Sequence, residues 1–256
     1  MKLNKIIIIL IIYLLVNSLS VVFSQERREI ELTAQELVAR VDRVLEYPRG
    51  QLKGKLLHIT PDGASRTINI WGAVAQEDAV FKLSSERRGE EVRILYNLKG
   101  ESIWVFSPHA VKVFNKRGID KYDSILATNY FFIDLSNAAL QSNYTARITG
   151  DAFIKGFDCY KLDLDPIFKS GAYGLLTLYV KKNDYIPLRI DFYDNDKVIF
   201  KTMSIVKTIT QNNRIRPVRY DMLHIRKGSV TMFEFFEFDD SIKFDKKIFR
   251  HETLGE

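Results

Sequence analysis

Phe157-Asp158-Cys159-Tyr160-Lys161-Leu162-Asp163-Leu164-Asp165 opens a segment that resumes, after a loose loop, as Leu175-Leu176-Thr177-Leu178-Tyr179-Val180. After Lys181-Lys182-Asn183-Asp184 it continues as Tyr185-Ile186-Pro187-Leu188-Arg189-Ile190-Asp191-Phe192-Tyr193. Three apolar runs, rich in aromatic and branched side chains, are parted by turn residues, the pattern of an antiparallel meander. Similar runs come before and after, so most of the chain reads as one long winding sheet.

Downstream, Val198–Thr210 and Arg214–Arg226 form a long hairpin around Gln211-Asn212-Asn213, and Lys227-Gly228 turns into Ser229–Phe238. Upstream, strands are expected over Lys53–Ile59, Arg66–Ala73, Ala79–Ser84, Glu91–Leu98, Glu101–Phe106, Val111–Phe114 and Tyr144–Phe153. Thr60-Pro61-Asp62-Gly63, the charged loop Glu86-Arg87-Arg88-Gly89, and Lys99-Gly100 supply turns. Gly118–Ser142 breaks the alternation. Ile119, Tyr122, Ile125 and Leu126, and then Leu135, Ala138, Ala139 and Leu140, have helical spacing. They read as two short helices joined by the aromatic link Tyr130-Phe131-Phe132-Ile133, lying over the sheet or its mouth. Glu31–Leu45 is the clearest helix, with Thr33 and Glu36 as a capping box and an apolar stripe of Leu37, Val38, Val41, Val44 and Leu45.

Lys2 and Lys5 precede an apolar run from Ile6 to Val16, and Val22-Phe23-Ser24 offers a cleavage site. Residues 1–24 read as a secretory signal peptide, with an uncleaved anchor as the alternative, and residues 25–256 as one domain. Cys159 is the only cysteine, so no internal disulfide forms, and its place in a strand argues for a buried, inert thiol. The net charge of +6 comes without a basic block or Arg/Lys-aromatic motif, which speaks against nucleic acid as a partner.

Motifs of catalysis are missing. His58, His109, His224 and His251 lack metal-ligand spacing, and neither a G-x-S-x-G elbow nor a Gly-rich phosphate loop occurs. Asp163 and Asp165 share a strand face, but with Leu162 and Leu164 inward both carboxylates point to solvent. No enzyme activity, metal or cofactor is expected. The pattern supports a container: ten or more apolar strands with little helical cover leave an apolar cavity. Each acyl methylene buried there gains about 0.8 kcal/mol.

Four stretches carry a resemblance. They are Gly54-Lys55 with Pro61-Asp62-Gly63; Ile103-Trp104-Val105-Phe106-Ser107-Pro108 with Lys112-Val113; Gly156–Leu164 with Leu178-Tyr179-Val180-Lys181 and Tyr185-Ile186-Pro187-Leu188; and Arg216-Pro217-Val218-Arg219-Tyr220 with Phe235–Phe238. In this order they make the chain resemble the LolA-like family of exported carriers, in its branch of outer-membrane lipoprotein-sorting proteins. The resemblance implies a mainly β (α+β) fold: a strongly curved antiparallel sheet forming an incomplete barrel, covered by an N-terminal helix and a short helical insert. It also implies a periplasmic carrier of acylated lipoprotein or lipid cargo, working between an inner-membrane transporter and an outer-membrane acceptor. Where the branch often has a segment like M-G-S-D-F, this chain has Leu126-Ala127-Thr128-Asn129-Tyr130-Phe131, with Ala127 and Asn129 in place of Gly and Asp.

The expected cavity lining is Phe81, Leu83, Ile94, Trp104, Phe106, Tyr160, Leu162, Leu178, Val180, Ile190, Phe192 and Tyr220, with Tyr130, Phe131 and Phe132 as a lid. On this reading Trp104→Asp or Phe131→Asp abolishes lipid uptake in a folded protein. Two alternatives stay open: an envelope interaction module with a filled core, accessory to an export system, and a hydrolase of acylated substrates.

Overall fold

The computed structural model describes residues 32–85, 91–136, 140–169 and 171–256, and every element below lies in the unit Ala34–Glu256. The expected signal peptide, the start of the first helix at Glu31, the Glu86–Gly89 turn, and Ala138 and Ala139 lie outside the described residues.

Helix α1 spans Ala34–Leu45 and buries Leu37, Val38 and Val41 completely. Each such side chain contributes about 1.5–3 kcal/mol relative to exposure. Thirteen strands follow: β1 (Gly50–Ile59), β2 (Ser65–Ala75), β3 (Asp78–Ser85), β4 (Glu91–Asn97), β5 (Ser102–Ser107), β6 (Lys112–Lys116), β7 (Tyr144–Ile154), β8 (Phe157–Pro166), β9 (Leu175–Lys181), β10 (Pro187–Tyr193), β11 (Ile199–Gln211), β12 (Arg214–His224) and β13 (Ser229–Asp239). They make one antiparallel sheet in the order β6-β5-β4-β3-β2-β1-β13-β12-β11-β10-β9-β8-β7. Two meanders, β1–β6 and β7–β13, run away from a seam where β1 pairs with β13. The sheet is not closed, and β6 and β7 are its edges.

Glycines set the seam and the floor beside it. A Cβ on Gly54 would lie 2.5 Å from the Glu234 carbonyl oxygen, and the β1–β13 register shifts between Lys53 and Gly54. A Cβ on Gly72 would lie 2.4 Å from Leu52 Cδ1 and 2.7 Å from the Phe81 ring. These close approaches let the first arm bend around its own side chains.

The insert differs from the expected pair of helices. It consists of single 3-10 turns at Gly118–Tyr122, Ile125–Ala127 and Phe132–Leu135, then the four-residue helix α2 (Leu140–Asn143). Leu126 and Ala127 sit at φ of 45° and 55°, and the Ser124–Phe131 bridge folds the segment back on itself. A continuous helix cannot contain such residues. α2 is capped from another element: the Asp42 carboxylate accepts the Leu140 and Gln141 N–H groups, each at 2.9 Å, and burial pushes its pKa up to about 6.

The other sheet face of the first arm carries its own apolar cluster. Ala73, Val80, Leu95 and Phe106 are buried there by Phe249 and Leu254 of the C-terminal tail, with Trp71, Trp104, Val113, Phe244 and Ile248 packed around them. Trp104 stacks on His251 at 4.0 Å between ring centroids, and the Arg93 guanidinium lies 5.3 Å from the Phe106 ring centroid. Trp104 and Phe106 therefore face the tail, whereas Ile103 and Val105 point the other way. We expect Trp104→Asp to free the tail to proteolysis and leave ligand uptake unchanged; reduced uptake with a protected tail would contradict this placement.

Candidate ligand cavity

The inner face of the sheet is filled unevenly. In the first arm the insert occupies it: the Tyr96 hydroxyl donates to the Phe132 carbonyl at 2.7 Å, Arg66 donates to the Leu126 carbonyl, and Gly100 packs against Ser136. In the second arm α1 packs beside β7 and β12, and the Arg40 guanidinium lies 4.7 Å from the Tyr185 ring centroid. A cavity of about 330 Å³ remains between insert and second arm. That is at the lower end of the range for small-molecule sites, about 300–1,000 Å³.

Its floor is buried: Tyr130, Leu176, Ile190, Phe192, Tyr220, Met222 and Phe233. Its mouth comprises Gly118, Lys121, Tyr122, Asn143, Tyr144, Pro166 and the exposed Phe168. Cross-strand pairing explains the floor. Leu178 pairs with Ile190, Ile190 with Met203, Met203 with Met222, and facing pairs in an antiparallel ladder share a side. Six tyrosines line the space: Tyr47, Tyr122, Tyr130, Tyr144, Tyr173 and Tyr220. Several are tied to protein groups. The Tyr130 hydroxyl donates to the Tyr220 carbonyl at 3.3 Å, and that of Tyr220 to the Pro217 carbonyl at 3.3 Å. Burial raises the pKa of all six, so they act as neutral phenols.

The cavity wall is pinned by a buried polar network. Lys201, fully buried on β11, donates to Asp134 Oδ2 at 2.9 Å and to the Asn129 carbonyl at 3.0 Å. Its ammonium lies 3.5 Å from the Phe131 ring centroid. Burial lowers the Lys201 pKa, and the Asp134 carboxylate opposes that shift. Asp134 also accepts the Tyr173 hydroxyl at 2.5 Å and the Phe131 N–H at 2.8 Å. The Asn129 amide donates to the Met222 and Ser229 carbonyls at 3.0 and 2.8 Å and accepts from the Ser229 hydroxyl at 2.8 Å. The Asn129 N–H donates to Thr231 Oγ1 at 3.0 Å, which lies 2.8 Å from His58 Nδ1.

Of the residues expected to line the cavity, the structure brings Ile190, Phe192 and Tyr220 to it, together with Tyr130 of the expected lid. Phe81, Leu83 and Ile94 are buried in the filled first arm, Phe81 edge-on to Tyr47 and Tyr96. Leu162, Leu178 and Val180 are fully buried without reaching the cavity, and Tyr160 lies half-buried beneath the Lys182 ammonium. Trp104 and Phe106 are on the far face. Tyr130 and Phe132 are buried and Phe131 is clamped against Lys201, so the aromatic link is a wedge in the core rather than a loose lid. The sequence pattern does not single out Lys201, Asp134, Met203 or Phe233 for the cavity and its wall. The signal was there for one of them: in Ile199-Lys201-Met203-Ile205, a lysine occupies a position of apolar parity.

Outside the cavity, Arg147 approaches Asp163 and Asp165 at 3.8 and 3.0 Å, which accounts for both carboxylates as a surface ion-pair cluster. Cys159 is buried, and desolvation raises its thiol pKa. Among the described residues, no group of three His, Cys, Asp or Glu could hold a metal ion, and no helix is long and apolar enough to cross a membrane.

Solved structures share this architecture. A domain described as an outer membrane lipoprotein-sorting protein, from Vibrio parahaemolyticus, is 15% identical with a TM-score of 0.73, over 87% of this chain and 98% of that one. A LolA superfamily protein from Nitrosomonas europaea is 20% identical with a TM-score of 0.72, over 86% and 98%. A DUF1329 family protein from Desulfovibrio piger is 18% identical with a TM-score of 0.72, over 86% and 97%. No curated protein sequence matches the chain. A family model described as "-like: Uncharacterized protein" matches residues 76–256. The chain belongs to that family, and its fold is the LolA-like open half-barrel.

Proposed function

We propose that the protein is a periplasmic carrier that holds acyl chains of a lipid or lipoprotein in the cavity between insert and second arm. The observation that carries this reading is the buried floor of Leu176, Ile190, Phe192, Met222 and Phe233, open to the surface through a mouth edged by Phe168. Water gains little from such a floor, whereas an acyl chain gains about 0.8 kcal/mol for each methylene it buries. The LolA-like fold of lipoprotein-sorting neighbours supports a carrier role. On this reading residues 1–24 direct export and are cleaved, an inner-membrane transporter loads the cargo, and an outer-membrane acceptor receives it. Charged side chains line a second depression, among them Asp42, Arg43, Glu46, Lys99 and Glu101. Its polarity makes it a poor acyl site.

Met203 is half-buried and lines the cavity, so Met203→Trp fills the space without adding charge. Loss of room for a few methylenes exceeds 1.4 kcal/mol, so affinity for a fluorescent acyl probe should fall on the order of ten-fold or more. Unchanged affinity in a folded variant would place the acyl site elsewhere.

A further inference from the structure

Charge in the cavity is unbalanced at its mouth. The two charged side chains lining it are Lys121 and Asp134. Asp134 is neutralised by Lys201 and already accepts a phenol and a backbone N–H. Lys121 has no carboxylate in salt-bridge range among the described residues. Its ammonium donates to the Gly100 and Glu101 carbonyls at 3.0 and 2.7 Å. An ammonium has three donors, so one remains. Burial lowers the Lys121 pKa, the charge of Glu101 acts against that shift without reversing it, and an anion in the mouth would relieve the remaining cost. The phenol rings of Tyr122 and Tyr144 edge the same opening. Beneath them lies a single, small apolar space.

Resting on the carrier reading above, we propose that the cavity selects a single-chain amphiphile with an anionic head, its chain on the Ile190–Phe192 floor and its carboxylate or phosphate on Lys121. One volume of about 330 Å³ does not accommodate the several chains of a fully acylated lipoprotein. A charge-assisted hydrogen bond at a half-buried site is worth about 1.5–3 kcal/mol, or about 10- to 100-fold in affinity.

The test uses residues 25–256, which hold the whole unit Ala34–Glu256. Binding of palmitic acid, its methyl ester, palmitoyl lysophosphatidic acid and a triacylated lipopeptide is measured by calorimetry, on the original chain and on Lys121→Met and Lys121→Arg. We expect one palmitate per chain, bound at least ten-fold tighter than the ester. Lys121→Met should erase the difference and Lys121→Arg should keep it. The two anions distinguish a free fatty acid from a lysolipid as the better fit. Equal affinity for acid and ester, or a preference unaffected by Lys121→Met, overturns the proposal. Tight binding of the lipopeptide alone overturns it while leaving the carrier reading in place. If none of the four binds, both fall.

Discussion

Lys201→Ala destabilises the protein by about 3–5 kcal/mol, the cost of leaving one member of a buried ion pair alone. Lys201 is fully buried and its Asp134 partner nearly so, at 2.9 Å. Removing the ammonium strands a carboxylate whose remaining donors are the Tyr173 hydroxyl and the Phe131 N–H. It also removes the cation held against the Phe131 ring and the donor to the Asn129 carbonyl. The pair joins residues far apart in the chain, one on β11 and one on the insert. Its loss should therefore loosen the insert before the sheet. Urea unfolding gives the magnitude, and amide exchange over residues 126–136 gives the location. The double variant Lys201→Met/Asp134→Leu should recover only part of the loss: it removes the stranded charge but leaves the Tyr173 hydroxyl, the Phe131 N–H and the Asn129 carbonyl without these partners, at about 1–3 kcal/mol each. A loss below about 1 kcal/mol for Lys201→Ala would mean that the pair is solvated and does not hold the insert.

Asn129→Ala should cost about 2–4 kcal/mol, since it leaves buried carbonyl and hydroxyl groups without their partner at about 1–3 kcal/mol each. The side chain makes three hydrogen bonds, to Met222, Ser229 and Ser229 again, across two neighbouring strands. Asn129→Asp is the sharper probe. It keeps the size and the acceptor from Ser229 but turns two donors into a carboxylate facing two carbonyls. It should be the more damaging of the two at neutral pH, and the gap should narrow as acid protonates the carboxylate. Denaturation midpoints near neutrality and in mild acid test this. Equal stability of the two variants at both pH values would show that the amide does not donate as placed.

The meander was legible because strands of period two are parted by Gly, Pro, Asn and Asp, and hairpins join neighbours in sequence. The β1–β13 seam was not legible, since pairing Leu56 with Phe233 depends on how both arms curve. Facing was ambiguous where both faces of a strand are apolar. In β5, Ile103 and Val105 point inward and Trp104 and Phe106 outward, and nothing local says that the tail covers the second pair. In β10 the alternation of Ile190 and Phe192 places both at the cavity. Ala127 adopts a left-handed φ of 55° in the insert, and Asn129 ties the insert to β12 and β13. The Lys201–Asp134 pair links segments 67 residues apart, a partnership no spacing rule reveals.

A cavity that carries acyl cargo should be found with that cargo in it. Residues 25–256 exported to a bacterial periplasm, purified without detergent and extracted with organic solvent, allow the extract to be read by mass spectrometry. About one acyl-chain amphiphile per protein is expected, lost in Met203→Trp. A clean extract, together with failure of added acylated ligands to bind the purified protein, would contradict it and favour an interaction module with a cavity that has no lipid role.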